Sequence, residues 1–124
     1  MPLSLGFSPC PNDTYIFDAW VNHKIDAGDI HVQTCLEDVQ TLNEWALQEK
    51  LDITKISFGV YPLIKENYEL LDSGSAMGKG VGPLLITTQE KSEQINLADL
   101  PNLRVAIPGE NTTAHFLFTH ASKM

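Results

Sequence analysis

The sequence predicts an α/β fold with a largely parallel sheet. Short apolar segments with strand-like alternation are followed in turn by segments whose apolar residues recur at helical spacing, in the order strand, helix, strand, helix. The chain has 124 residues, of which 43% are apolar and 19% charged, which is enough for one ordinary domain with a buried core. This composition argues against a disordered chain.

The first predicted unit is a strand that runs into a tight loop and a helix. Residues 3–7 alternate large apolar with small side chains, which is typical of a strand. Residues 8–13 break this pattern with two prolines and predict a loop. Asn12 or Asp13 is a good N-cap, so we predict a helix from there to about His23.

The next segment repeats the strand and helix order. Residues 30–36 predict the second strand, and Asp38 is placed to cap the second helix. Residues 53–58 predict a third strand. Pro62 suits the first turn of a helix that follows it.

Further short elements are predicted in the rest of the chain. Apolar runs at residues 68–71, 84–87 and 103–107 predict strands. The polar segment 88–96 between two of them is the best candidate for a linker. A last helix is predicted to open at Thr112.

Charge and cysteine content limit the partners and the compartment. The formal net charge is −8 and the sequence contains a single arginine, Arg104. Nucleic acid and anionic membrane surfaces need a basic face, so neither is an expected partner. Cys10 and Cys35 do not form a disulfide framework, and residues 1–7 lack the basic start of a signal peptide. We therefore expect a cytoplasmic protein.

Small polar residues recur where a predicted strand ends and a helix begins. They lie in residues 8–13, 54–57 and 109–113. The carboxyl ends of strands line the crevice of an open α/β sheet, and helix N-termini direct free N–H groups at anions. This arrangement suits a small carboxylated or phosphorylated ligand. The alternative is that each polar residue only caps a helix.

Neither the glycine-rich segment nor the histidines match a known ligand motif. Gly74 and Gly78 are too close together for a phosphate loop, and Gly80 stands where that loop needs Ser or Thr. These glycines therefore indicate either a flexible turn or a close approach to a ligand. His115 and His120 are five residues apart, which puts them on different faces of a helix, so no metal site is predicted.

Several longer strings occur together along the chain. They are LGFSPCPNDT at 5–14, LEDV with LN at 36–43, TKIS at 54–57, GKGVGPL at 78–84, and VAIPG with TTA at 105–114. In order and spacing they resemble the 1,4-dihydroxy-6-naphthoate synthases of bacterial menaquinone synthesis, the futalosine pathway.

The resemblance implies a fold similar to type II periplasmic binding proteins, with two α/β lobes around a cleft. On that basis residues 1–88 form most of the first lobe, residues 89–102 a linker or hinge, and residues 103–124 the start of the second lobe. The implied reaction converts cyclic dehypoxanthinyl futalosine to 1,4-dihydroxy-6-naphthoate without a metal or organic cofactor. The implied ligand is therefore a small carboxylated molecule.

The resemblance also implies a substrate site. Lys55, Ile56 and Ser57 match the family's substrate-binding stretch at the end of the third strand, and Thr112 and Thr113 match its anion-binding helix start. Their hydroxyl and N–H groups would grip a carboxylate from two sides. Other residues that could line the cleft are Ser8, Asn12, Asp13, Gly78 and Gly80.

The family's proposed catalytic histidine lies in the second lobe, beyond Met124, and His115 does not match its position. We therefore expect the 124 residues to be inactive or weakly active as a synthase, and we expect uncovered apolar faces from Leu103 to Phe118 to promote self-association or disorder. A carboxylate-binding module without enzymatic activity and a relative of chorismate dehydratase are alternative interpretations.

Overall fold

The computed structural model describes residues 1–122, and its centre is a parallel β-sheet. Within this range three strands, β1 (Leu3–Phe7), β2 (Val32–Leu36) and β3 (Ile53–Thr54), are arranged in the order β2–β1–β3. Both neighbours of β1 run parallel to it. The predicted α/β class with a parallel sheet is confirmed.

Helices follow each strand. They are α1 (Pro11–Val21), α2 (Val39–Leu47), α3 (Tyr61–Ile64), α4 (Gln89–Ser92) and α5 (Thr113–Ala121), with a 3-10 helix at Leu97–Asn102. The predicted caps of α2 and α5 are confirmed. Asp38 accepts hydrogen bonds from the backbone N–H groups of Gln40 and Thr41, and Thr112 accepts one from His115.

The sheet is covered on both faces. The Phe7 and Phe17 rings lie 4.8 Å apart, so α1 packs on one face. Gly6 points to the opposite face, where a Cβ would lie 2.8 Å from Leu42 of α2. The buried apolar side chains of the core are Leu5, Phe7, Leu42, Ala46, Val60 and Ile64.

The predicted start of α1 is wrong. The helix begins at Pro11 after Cys10, which makes no side-chain cap. Asn12 and Asp13 lie inside the first turn, and the Asp13 carboxylate accepts hydrogen bonds from the N–H and hydroxyl of Ser8. Proline suits the first helical position because its missing N–H would have no partner there.

The third strand is shorter than predicted. The strand ends at Thr54, because β3 pairs only with residues 5 and 6 of β1. Residues 57–60 then form a turn in which the Val60 N–H donates to the Ser57 carbonyl.

The strands predicted at 68–71, 84–87 and 103–107 are wrong. A strand needs a hydrogen-bonded neighbour, and within residues 1–122 the sheet offers these segments none. Leu84 and Ile86 are each 84% exposed.

The division into lobes stays a prediction. The predicted linker, residues 89–102, contains α4 and the 3-10 helix. The last predicted segment, 103–124, contains α5, and its residues 123–124 lie outside the described part of the chain. None of the helices in residues 1–122 is both long and apolar enough to cross a membrane.

Candidate functional site

A groove of about 1020 Å³ lies beside the end of β3 and the start of α5. Its walls include Lys55, Ile56, Ser57 and Thr113. The fold therefore brings together two chain segments that are more than fifty residues apart in sequence. The groove also has aromatic and apolar walls, among them Phe17, Trp20, Tyr61, Ile64, Tyr68 and Leu70.

Ser57 is held at the groove by the side chain of Asn43. The Ser57 N–H donates to Asn43 Oδ1 at 2.8 Å, and Asn43 Nδ2 donates to Ser57 Oγ at 3.0 Å. Asn43 lies on α2 and is fully buried. The two hydrogen bonds fix both the backbone and the hydroxyl oxygen of Ser57.

Thr113 is held from the same turn. The Gly59 N–H donates to Thr113 Oγ1 at 3.1 Å. A Cβ on Gly59 would lie 3.3 Å from the backbone N and Cα of Thr113, so a side chain at this position would press on the start of α5. The turn after β3 and the first residue of α5 are thus in direct contact.

The loop before α5 is fastened to α2. The Asn111 N–H donates to Gln40 Oε1 at 3.1 Å, and the Asn111 carbonyl accepts a hydrogen bond from Asn43 Nδ2 at 2.9 Å. Gly109 has a φ of 150° and lies against the Gln40 side chain, where a Cβ would collide with it. These contacts set the position from which α5 begins.

The hydroxyl groups of Ser57 and Thr113 are prepared to donate. Each oxygen accepts a hydrogen bond from the protein, and across residues 1–122 neither hydroxyl donates one. A hydroxyl carries one hydrogen, so within residues 1–122 both hydrogens remain available to a further acceptor. Thr112 differs, because its hydroxyl donates to the Gly109 carbonyl at 2.7 Å and accepts from the His115 N–H.

A buried ion pair lies next to this site. The Lys55 ammonium is 3.0 Å from Asp13 Oδ1 and donates to the Gly74 carbonyl at 2.8 Å. Burial by itself raises the pKa of Asp13, but hydrogen bonds from Ser8 and Lys55 outweigh it and hold the pKa below its usual 3.8. Asp13 therefore stays ionised and keeps Lys55 in place.

The predicted site residues divide into two groups. Lys55, Ile56, Ser57 and Thr113 line the groove, and Thr112 is buried next to it as the cap of α5. Among the described residues, the groove walls do not include the five residues proposed as possible lining. Of these, Ser8 and Asp13 are buried against each other, and Asn12, Gly78 and Gly80 are exposed elsewhere.

Sequence reasoning missed Asn43 and Gln40. Asn43 falls on the same helix face as Val39 and Ala46, four residues before it and three after it, and so on the buried side of α2. A polar amide on a buried stripe must find hydrogen-bond partners, which is the signal that could have identified it. Gln40 gives no such signal.

His115 and Cys10 have side chains that could take part in chemistry, but neither lines the groove among the described residues. His115 Nδ1 lies 2.9 Å from the Glu110 carbonyl, which makes it the donor in that pair, and Cys10 is a free, exposed thiol. Over the described range, no three His, Cys, Asp or Glu side chains are grouped to hold a metal ion.

Comparison with known proteins gives a consistent result. A family profile described as "Menaquinone biosynthesis" matches residues 3–121. The chain is 46% identical over 117 residues to a 1,4-dihydroxy-6-naphthoate synthase of Thermus thermophilus, covering 94% of this chain and 40% of the relative. It is 36% identical over 116 residues to the enzyme of the same name from Streptomyces coelicolor, covering 94% of this chain and 39% of that relative.

A solved structure shares the fold. The crystal structure of protein AF1704 from Archaeoglobus fulgidus superposes with a TM-score of 0.78 at 24% sequence identity, covering 98% of this chain and 43% of that chain. The chain thus spans about two fifths of the length of the proteins that it matches.

Proposed function

The chain belongs to the menaquinone biosynthesis family, and on that premise we propose that it supplies the carboxylate-binding part of a 1,4-dihydroxy-6-naphthoate synthase. Both curated relatives carry that name. The proposed reaction converts cyclic dehypoxanthinyl futalosine to 1,4-dihydroxy-6-naphthoate. The residues assigned to binding are Lys55, Ile56, Ser57, Thr112 and Thr113.

The observation that carries this proposal concerns the hydroxyl groups of Ser57 and Thr113. Among the described residues, neither hydroxyl donates its hydrogen to a protein group. Each hydroxyl oxygen is already occupied by a protein donor, and both residues line one groove. A carboxylate only accepts hydrogen bonds, so it is the ligand group that two such donors fit best. Hydrogen bonds to an ionised acceptor are also about twice as strong as neutral ones.

Lys55 is assigned to the binding site and not to proton transfer. Lys55 is the titratable residue closest in sequence to Ser57, and its ammonium is engaged by Asp13 and Gly74. An ammonium held in this way is not a free base, and its charge is balanced by the Asp13 carboxylate. Recognition of the ligand carboxylate therefore rests on the hydroxyl groups of Ser57 and Thr113.

The finer description of the fold is part of the same proposal. A parallel sheet with helices on both faces and a groove at its strand ends supports a lobe of the type II periplasmic-binding-protein kind. In this proposal residues 1–88 build the first lobe, 89–102 the hinge region, and 103–124 the start of the second lobe. The free thiols Cys10 and Cys35 support a cytoplasmic location.

Calorimetric titration with two ligands tests the proposal. One ligand is 1,4-dihydroxy-6-naphthoate, and the other is 1,4-dihydroxynaphthalene, which has the same rings but no carboxylate. We expect the carboxylated ligand to bind at least about tenfold more tightly, which corresponds to one charge-assisted hydrogen bond. Equal affinity for the two ligands would contradict the proposal.

Product chromatography separates binding from catalysis. The protein is incubated with cyclic dehypoxanthinyl futalosine and, separately, with chorismate. Formation of 1,4-dihydroxy-6-naphthoate from the cyclic substrate supports a synthase, and turnover of chorismate contradicts it. Binding without turnover of either compound favours a carboxylate-binding module.

A further inference from the structure

We propose that Asn43 is a positioning residue that joins the two halves of the carboxylate site and directs the Ser57 hydroxyl hydrogen into the groove. The inference deepens the proposed function and rests on it for the identity of the ligand. Asn43 does not line the groove among the described residues, so it acts through its neighbours.

Asn43 bonds to both segments of the site. It accepts from the Ser57 N–H and donates to Ser57 Oγ on the turn after β3, and it donates to the Asn111 carbonyl in the loop before α5. These partners are 14 and 68 residues away in sequence. One side chain on α2 therefore sets the spacing between the turn and the loop.

The chemistry of the amide explains why asparagine is suited to this position. Its NH₂ group supplies two donors and its oxygen accepts. The two donors are used by Ser57 Oγ and the Asn111 carbonyl, and the acceptor is used by the Ser57 N–H. A carboxylate or an apolar side chain of the same size would leave the Asn111 carbonyl without its donor.

The hydrogen bond to Ser57 Oγ also decides where the serine hydrogen goes. Because Nδ2 donates to Oγ, the hydroxyl cannot use that direction for its own hydrogen. Ser57 lines the groove, so the hydrogen is available to a ligand there. Replacing Nδ2 by a carboxylate oxygen would reverse this bond and turn the hydrogen toward residue 43.

The substitution Asn43→Asp tests whether residue 43 sets the direction of the Ser57 hydroxyl hydrogen. At pH 8 we expect the variant to bind 1,4-dihydroxy-6-naphthoate about tenfold more weakly, since one hydrogen bond to a charged group is lost. As the pH falls and the new carboxyl is protonated, it regains a donor and affinity recovers in part. A purely structural role for Asn43 predicts that the affinity at each pH follows the folded fraction measured by urea unfolding, and that result would overturn the positioning role.

Two controls accompany this measurement. Asn22→Asp makes the same substitution at an exposed asparagine whose Nδ2 also donates, to Asp18, and it should leave the affinity unchanged. In a Ser57→Ala background Asn43→Asp should cost less affinity than it does in the wild-type background, because its effect through the Ser57 hydroxyl is absent and only its effect through the Asn111 carbonyl remains. If the losses of affinity are additive in the double variant, Asn43 does not act through the Ser57 hydroxyl, and the proposal is overturned.

Hydrogen exchange followed by NMR supplies a test that needs no ligand. In Asn43→Ala we expect faster exchange at the amide of Ser57 and at the amides of both Gly59 and Asn111, with helix α1 unchanged. Unchanged exchange at these amides would overturn the positioning role. If the wild-type protein binds no carboxylate but exchange rises as expected, the proposed function fails and the positioning role stands.

Discussion

The Lys55 ammonium lies 3.0 Å from the Asp13 carboxylate and ties the end of β3 to the first turn of α1. The Asp13 side chain is 11% exposed and the Lys55 side chain 20%, so both charges are largely removed from water. Ser8 completes the arrangement by donating its N–H and its hydroxyl to the same carboxylate. The ion pair therefore holds the ends of β1 and β3, next to which the site lies, against the start of α1.

Asp13→Asn should lower stability at neutral pH by about 1–2 kcal/mol, because it removes the charge that Lys55 and Ser8 hydrogen-bond. The pKa of Asp13 is lowered in the folded state. Its contribution is therefore present above the unfolded pKa and is lost as the pH falls through the folded pKa. Urea unfolding should therefore show a smaller difference in stability between wild type and variant near pH 3 than at pH 7.

The exposed pair Lys24 and Asp18 supplies a matched control. Their charged atoms are 2.6 Å apart, but the side chains are 59% and 47% exposed. Asp18→Asn should change stability much less than Asp13→Asn, since surface ion pairs are screened by water and salt. Equal losses of stability in the two variants would show that burial does not account for the stabilising effect of the Asp13 and Lys55 pair.

Thr112 and Thr113 should respond differently to substitution. The Thr112 hydroxyl is used within the protein as the cap of α5, so Thr112→Ala should lower the free energy of unfolding by about 1 kcal/mol. Thr113 keeps its hydroxyl hydrogen for the groove, so Thr113→Ala should mainly weaken binding of 1,4-dihydroxy-6-naphthoate. Urea unfolding and calorimetric titration of both variants measure the two effects, and a stronger binding loss in Thr112→Ala would reverse the assignment.

Much of the fold could be predicted from the sequence, because local patterns decide it. β1, α2 and the cap of α5 follow from alternation, from helical spacing and from a polar residue at the helix start. The same local patterns predict strands at 84–87 and 103–107, and the described part of the chain has no strand at either place. An apolar run becomes a strand only when a neighbour pairs with it, and pairing is a property of the whole chain.

The site was predictable in part for the same reason. Ser57 and Thr113 stand where a strand end and a helix start place polar groups, and the resemblance pointed to the same positions. The role of Asn43 depends on contacts across 68 residues, which no local pattern contains. Asp13 has the residue type of a helix cap, but in the folded chain Ser8 and Lys55 bind its carboxylate.

Gly59→Ala should weaken ligand binding by pressing the turn away from α5. The added Cβ would lie 3.3 Å from the backbone N and Cα of Thr113 and 3.4 Å from the Thr112 carbonyl. Backbone atoms at a helix start cannot give way as a flexible side chain can, so the two segments must separate. Gly82→Ala is the control, since a Cβ there meets no atom within 4 Å. Calorimetric titration should show weaker ligand binding for Gly59→Ala and unchanged binding for Gly82→Ala.

Gly6→Ala should destabilise the sheet, and a second substitution should relieve the effect. A Cβ on Gly6 would lie 2.5 Å from Cδ1 of Leu51 and 2.8 Å from Cδ2 of Leu42, so the substitution overpacks the core and should cost about 1–3 kcal/mol. Leu51→Ala removes the closer of the two methyl groups. The double variant should then be more stable than the sum of the single losses predicts, because the new methyl fills part of the space that Leu51 vacates. Urea unfolding of the four proteins measures this coupling, and additive losses would show that the Leu51 methyl group does not limit the space beside Gly6.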